Sequence, residues 1–182
     1  MFAVIPNLSR SNAEEVTRSV CKELKKLNAE FAMETENTDA FSDVCDLFYD
    51  ESDLYNNAEV VIAIGGDGTI INSAKKASDI GCPILGINAG RVAFMAGLEP
   101  QELELLDSLI TGNYIVDKRM MLMASIVVNG EVEREVNCVN DVFVGRGTNV
   151  NMVRLTINCD GAKVSEYYSD GVIISTPTGS TA

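Results

Sequence analysis

The sequence predicts an α/β N-terminal domain with a parallel, doubly wound sheet, followed by an antiparallel all-β domain that stops short at its C-terminal end. Three observations support this. Up to about residue 112, short β-branched runs alternate with helix-period segments, the pattern of strands joined by crossover helices. Beyond that point the apolar runs are joined by Asn129-Gly130 and Asp160-Gly161. Both are strong hairpin signals, because each central residue of a type I′ turn needs positive φ. Finally, Val60-Val61-Ile62-Ala63-Ile64 runs without alternation into Gly65-Gly66-Asp67-Gly68-Thr69. It reads as a strand buried on both faces that ends at a glycine turn, where α/β sheets bind ligands. The expected domains are 1–112 and 113–182, with the boundary falling within 112–118.

In chain order, Ala3, Val4 and Ile5 are strand-like. Ser11 or Asn12 can cap a helix reaching Leu27, with Val16, Val20, Leu24 and Leu27 on one face. A short strand is expected over 30–33, and within the polar stretch 35–57 a helix around 41–49. After the strand into Gly65 come a helix over 69–80, a buried strand over 83–87 and a helix over 100–111. Two hairpins follow. One joins 126–128 to 131–132, and the other joins 155–157 to 163–164.

A formal charge of −13 argues against nucleic acid and anionic membrane, since both need a basic footprint. No run approaches membrane-spanning length and no leader pattern opens the chain. Cys21, Cys45, Cys82, Cys138 and Cys159 are odd in number and widely spaced, and they read as reduced core thiols of a cytoplasmic protein. The absence of histidine excludes Ser-His-Asp and Cys-His catalysis and histidine zinc sites within the chain, leaving acid–base work to carboxylates, Lys or Tyr. No protein metal site is assigned.

The glycine turn is the densest candidate for chemistry. Gly65, Gly66, Gly68 and Thr69 form a phosphate-binding loop whose backbone can approach a ligand closely and point amides at phosphate oxygens. Asp67 would repel phosphates unless a metal ion or a substrate hydroxyl faces it, which suggests a nucleotide-dependent phosphotransferase. Gly-Asp-Gly is also ordinary turn chemistry. The Walker spacing and the Gly-x-Gly-x-x-Gly fingerprint are both absent.

Three further stretches stand out. Asn88-Ala89-Gly90-Arg91 leaves the strand after the glycine loop, and Phe94 either presents a ring to an adenine or fills core. Asn140-Asp141 interrupts an apolar strand pattern, which suits either hydrogen bonding to ribose hydroxyls or a bulge or turn. From Asp170 to Ala182 the chain is dense in hydroxyls and small residues, suited to lining a polar pocket or to forming a surface loop.

Together these four stretches resemble the NAD kinase family over most of 58–182. The glycine motif alone is shared with diacylglycerol-type lipid kinases, but Gly86-Ile87-Asn88-Ala89-Gly90 and the segment from Thr176 to Ala182 favour NAD kinase. The resemblance implies transfer of the γ-phosphoryl of ATP, or of polyphosphate in some members, to the 2′-hydroxyl of the adenosine ribose of NAD, giving NADP. It implies Mg²⁺ or another divalent cation with ATP, and a homodimer or homotetramer. Asp67 would receive the hydroxyl proton, or position the hydroxyl and the metal. Gly68, Asn88 and Phe94 would lie in the NAD site, with Asn140 and Asp141 on ribose hydroxyls and Asp170, Thr178, Thr181 and Ala182 lining the rest. A lipid kinase of the same fold and a non-catalytic dinucleotide-binding remnant are the alternatives. The family's loop reads closer to Asn-x-Gly-x-Leu-Gly-Phe-Leu. Val92, Ala93 and Met95 depart from it, so a different loop path is expected. The chain also stops inside the last motif, so a continuation and doubtful activity of the 182-residue piece are expected.

Overall fold

β1 (Phe2–Pro6) is the middle strand of a five-stranded parallel sheet. In the computed structural model, which describes residues 1–91, 93–148 and 150–181, the chain divides into two units, Met1–Asp117 and a second beginning at Lys118. In the first, β1 leads to α1 (Ala13–Lys26), β2 (Phe31–Glu34), α2 (Thr38–Phe41), β3 (Phe48–Tyr49), α3 (Glu51–Asn56), β4 (Val60–Gly65), α4 (Asp67–Asp79) and β5 (Ile84–Asn88). The strand order is β3-β2-β1-β4-β5. The chain first builds outward from β1 on one side, then returns to build on the other.

Strand residues alternate between two apolar layers. Phe2, Val4, Met33, Ile62 and Ile64 pack with Val16, Val20 and Leu24 of α1. Ala3, Ala32 and Val61 pack with Leu54 and Tyr55 of α3 and Ala77 of α4. Helices therefore cover both faces, which is why β4 reads as an unbroken hydrophobic run. α1 carries Glu14 and Glu15 in its first turn and Lys25 and Lys26 in its last, complementing the helix dipole. Asn12 takes the N-cap position without a side-chain cap bond.

Three expected elements are corrected. The helix over 41–49 is absent. α2 stops at Phe41, whose carbonyl accepts from Val44 and Cys45 (2.9 and 2.8 Å), and Leu47 accepts from Met33 (3.1 Å). Phe48 and Tyr49 then extend the sheet beside Met33 and Glu34, so edge pairing overrides helical spacing. The helix over 100–111 is a 3₁₀ turn, Leu103–Leu106, followed by the short α5 (Asp107–Thr111), which ends at Gly112 with φ 71°. Leu103, Leu106 and Leu109 recur every three residues and all face the core, a spacing that fits three residues per turn. The helix expected over 69–80 begins at Asp67, so the glycine turn is itself a helix N-terminus, with Gly66 at the N-cap.

The second unit contains β6 (Leu122–Val128), β7 (Glu131–Cys138), β8 (Asp141–Gly145), β9 (Val153–Cys159), β10 (Ala162–Ser169) and β11 (Gly171–Ser175). They form three antiparallel pairs, β6–β7, β9–β10 and β8–β11. Both expected turns have the required positive φ, at Asn129 (53°), Gly130 (88°), Asp160 (49°) and Gly161 (79°). Among its described residues, only Val139, Thr176 and Gly179 are buried. The expectation of five core thiols is also corrected. All five are unpaired, but only Cys21 and Cys45 are buried, while Cys159 on its hairpin is exposed. Burial pushes the Cys21 thiol up to about 12.

Ile62 lies wholly buried at the centre of β4. Ile62→Ala is expected to destabilise the first unit by about 2–5 kcal/mol, measured by urea unfolding.

Candidate active site

A doubly wound sheet has a crevice where successive connections leave in opposite directions, beyond the carboxyl ends of the strands. Here that point lies between β1 and β4. Asn7, one residue beyond β1, donates its backbone N–H to the Ile64 carbonyl (2.9 Å). Its side-chain Nδ2 donates to Thr69 Oγ1 (2.8 Å), and its Oδ1 accepts from Ser9 N and Oγ (3.1 and 2.7 Å). Asn7 therefore ties the end of β1 to the first turn of α4. Gly65 leaves no room for a side chain, since a Cβ there would lie 2.4 Å from Thr69 Oγ1. At Gly68 a Cβ would meet nothing within 4 Å, so the helix N-terminus stays open to a ligand. As first-turn donors, the Asp67 and Gly68 amides have no intrahelical partner and face that opening with the positive end of the dipole.

Asp67 is half-buried at the first position of α4. Its Oδ1 accepts from the Met95 backbone N–H (2.8 Å), and among the described residues Oδ2 has no hydrogen bond. The loop that supplies Met95 is anchored by Asn88, which is 4% exposed. Asn88 Nδ2 donates to both Glu99 oxygens (3.2 and 3.0 Å), and its Oδ1 accepts from Gly90 N–H (2.8 Å). Ala89 N–H reaches the Gly65 carbonyl (3.0 Å), and Gly97 N–H the Gly86 carbonyl (2.8 Å). Asn88 thus shapes the loop with every polar atom of its side chain. Phe94 is 88% exposed, which removes the core-filling reading of that ring. Arg91 is exposed, and Val92 lies outside the described residues.

A pocket of about 420 Å³ runs along α4, lined at one end by Asn7, Arg10, Gly68 and Thr69 and further along by Glu34, Tyr55, Ser73 and Lys76. Asn7, Arg10, Glu34, Tyr55 and Lys76 escape the sequence reading. Asn7 could have been found, because it directly follows the first strand of a sheet whose switch point is readable from the strand–helix order. The others are scattered over the turn before α1 and over β2, α3 and α4. Burial pushes the Glu34 carboxyl up, and the Glu51 carboxylate adds to this, against a smaller opposing effect of Lys76. Lys76 is paired with Glu51 and lies 5.8 Å from the Tyr55 ring centre. Burial also pushes the Tyr55 phenol up.

In the second unit, Asn140 falls in the bend between β7 and β8 and Asp141 opens β8, so the pair sits at a turn and not inside a strand. Asn140 O accepts from Thr176 N–H (2.8 Å), and Thr176 Oγ1 donates to Val139 O (2.7 Å) and accepts from Gly179 N–H (3.0 Å). This knot brings Gly179 against Asn140, where a Cβ would lie 2.3 Å from the carbonyl oxygen. Among the described residues Asn140 Oδ1 is buried without a hydrogen-bond partner, an unmet acceptor. Asp141 and Asp170 are exposed. Asp170 Oδ1 is 2.8 Å from Arg146 Nε, and Thr178 is half-buried and engaged. Thr181 closes the short 3₁₀ turn Gly179–Thr181, and Ala182 lies outside the described residues. No group of three or more Cys, Asp or Glu suited to a metal occurs among the described residues, and no helix there is long and apolar enough to cross a membrane.

A glycine-turn carboxylate at the switch point of a parallel sheet, followed by antiparallel hairpins, defines a class of α/β proteins that bind ligands at the carboxyl edge of the sheet. Residues 2–114 match the family profile described as ATP-NAD kinase N-terminal domain, and 139–182 match that described as ATP-NAD kinase C-terminal domain. The chain is 36% identical to a NAD kinase of Thermoanaerobacter sp. strain X514, over 98% of this chain and 63% of that protein. It is 30% identical to a NAD kinase of Cellvibrio japonicus, over 100% and 63%. The fold matches a crystal structure of yeast NADH kinase complexed with NADH at a TM-score of 0.86 and 20% identity, covering 100% of this chain and 58% of that one. The chain belongs to the NAD kinase family, which separates it from the lipid kinases that share its first motif. It spans a little under two thirds of the length of these relatives.

Two outcomes are expected. Gly179→Ala forces a methyl group into the Asn140 backbone and should destabilise the second unit by about 1–3 kcal/mol, read by calorimetry. The raised Glu34 carboxyl means folding favours its protonated form, a contribution present at low pH and lost as pH rises through the raised value. Glu34→Gln should therefore raise the melting temperature of the first unit at pH 7, and the difference should close as pH falls below the ordinary value of 4.5.

Proposed function

We propose that this protein transfers the terminal phosphoryl group of ATP, or of inorganic polyphosphate, to the 2′-hydroxyl of the adenosine ribose of NAD, giving NADP. The observation that carries this reading is Asp67, a carboxylate oriented by Met95 through one oxygen and, among the described residues, without a hydrogen bond at the other, directly before the Gly68 and Thr69 that line the near end of the pocket along α4. Phosphoryl transfer asks little covalent chemistry of a protein; alignment and charge neutralisation do most of the work. The second Asp67 oxygen accepts the hydroxyl proton as the new O–P bond forms and the bond from the terminal phosphorus to the bridging oxygen breaks, releasing ADP or the shortened polyphosphate. The pocket along α4 is the donor site. Arg10, the Thr69 hydroxyl and the first-turn amides of α4 hold phosphate oxygens at its near end.

With no cluster of three metal-ligating side chains among the described residues, a divalent cation would be carried on the donor's phosphates, with Asp67 as the carboxylate facing it. When bound, Mg²⁺ supplies charge neutralisation on the phosphates. Gly68 and Phe94 in the first unit, and Asn140, Asp141, Asp170, Thr178, Thr181 and Ala182 in the second, are the proposed NAD contacts. The partnerless Asn140 Oδ1 supports a ribose-hydroxyl donor there. Asn88 acts by holding the loop that orients Asp67. Five unpaired thiols support a reducing, cytoplasmic setting, and the exposed apolar strands of the second unit support a homodimer or homotetramer.

The test is NADP formation from NAD, ATP and Mg²⁺, alongside calorimetric titration of NAD. Asp67→Asn should lower turnover by about 10²–10⁴-fold while leaving NAD affinity within about threefold, a change of under 1 kcal/mol. Full activity in that variant would remove Asp67 from the mechanism.

A further inference from the structure

The pocket along α4 is chemically two-ended. From Gly68 to Lys76 it follows about 12 Å of helix at about 1.5 Å per residue. The near end offers groups that suit phosphate: the Arg10 guanidinium, the Asn7 amide, the Thr69 hydroxyl and an open helix N-terminus. The far end does not. There Glu34, at the carboxyl end of β2, meets Tyr55 of α3 and Ser73 and Lys76 of α4. Lys76, the cation at that end, is already paired with Glu51. Glu34 is half-buried and makes no hydrogen bond or ion pair among the described residues, although the second carboxylate of Glu51 acts on it unfavourably. Holding an unpartnered carboxylate beside another costs stability, and such costs concentrate at binding sites.

We propose that Glu34 sets the donor class of this site, admitting a nucleoside triphosphate and turning away inorganic polyphosphate. This rests on the donor-site reading given above. A polyphosphate chain is charged along its whole length. With one end at Arg10 and Thr69, its continuation brings further negative charge against the half-buried Glu34 carboxylate, where like charges repel. A nucleoside triphosphate confines its charge to one end. Its ribose and base are neutral, and a nucleobase presents ring and exocyclic N–H groups that the Glu34 carboxylate can accept, over a largely buried Tyr55. Glu34 would therefore repel one donor and meet the other's hydrogen bonds.

The experiment is calorimetric titration of the 182-residue chain with ATP and with a linear inorganic polyphosphate long enough to span the pocket, each with Mg²⁺, in the wild type, Glu34→Gln and Arg10→Ala. Circular dichroism checks that each variant is folded. The wild type should bind ATP at least about tenfold more tightly than the polyphosphate. Glu34→Gln keeps the shape and removes the charge. It should tighten the polyphosphate by about tenfold and should not tighten ATP, which loses a charged acceptor for its base. Equal binding of the two donors to the wild type, or an unchanged ratio in Glu34→Gln, overturns the role of Glu34 while leaving the donor site in place. Absence of ATP binding, or ATP binding that Arg10→Ala does not weaken, removes the donor site itself and the Glu34 assignment with it.

Discussion

The pairing of β1 with β4 is the constraint on which the first unit depends. Five residues of each strand run side by side, and the last pair is Pro6 with Ile64. Just beyond that pair the chain turns away on both strands and leaves a gap. Asn7 bridges it, with its backbone on Ile64 and its amide on Thr69. Gly65 lets Thr69 pack against the strand end, and that close approach starts α4 where it starts. If the two strands were separated, the helix N-terminus, the Asp67 carboxylate and the near end of the pocket would lose their common frame.

Asp67 shows how far positioning reaches beyond the residue that does the chemistry. Its orientation comes from a backbone amide twenty-eight residues away, at Met95. That amide is placed by a loop folded around the buried Asn88, whose side chain satisfies Glu99 on one side and Gly90 on the other. A buried amide with all its polar atoms matched is rigid, because breaking any one bond strands a polar atom away from water. The loop therefore transmits the position of β5 to the carboxylate on α4.

The second unit is organised differently. It buries little, and its order comes from hairpin turns and from one hydrogen-bonded knot around Thr176. The knot brings Gly179 onto the Asn140 backbone and leaves Asn140 Oδ1 buried without a donor. The exposed faces of Phe143, Ile173 and Tyr168 on its strands are large for a region of this size.

Much of the architecture was legible in the sequence, because strand and turn chemistry is local. The unbroken run ending at Gly65 announces a strand covered on both faces, and Asn129-Gly130 and Asp160-Gly161 announce hairpins that the backbone dihedrals bear out. The glycine turn and its carboxylate were legible for the same reason. Tertiary structure decided what depends on partners far along the chain. Phe48 and Tyr49 became an edge strand because β2 offered them hydrogen bonds, and 103–106 wound into a 3₁₀ turn because the core took a leucine every third residue. Asn88 was drawn to Glu99 and away from solvent, and Arg10, Glu34, Tyr55 and Lys76 were gathered into one pocket from the turn after β1 and from β2, α3 and α4. None of those four residues has a local pattern that marks it, since its role comes only from the neighbours that the parallel sheet brings beside it.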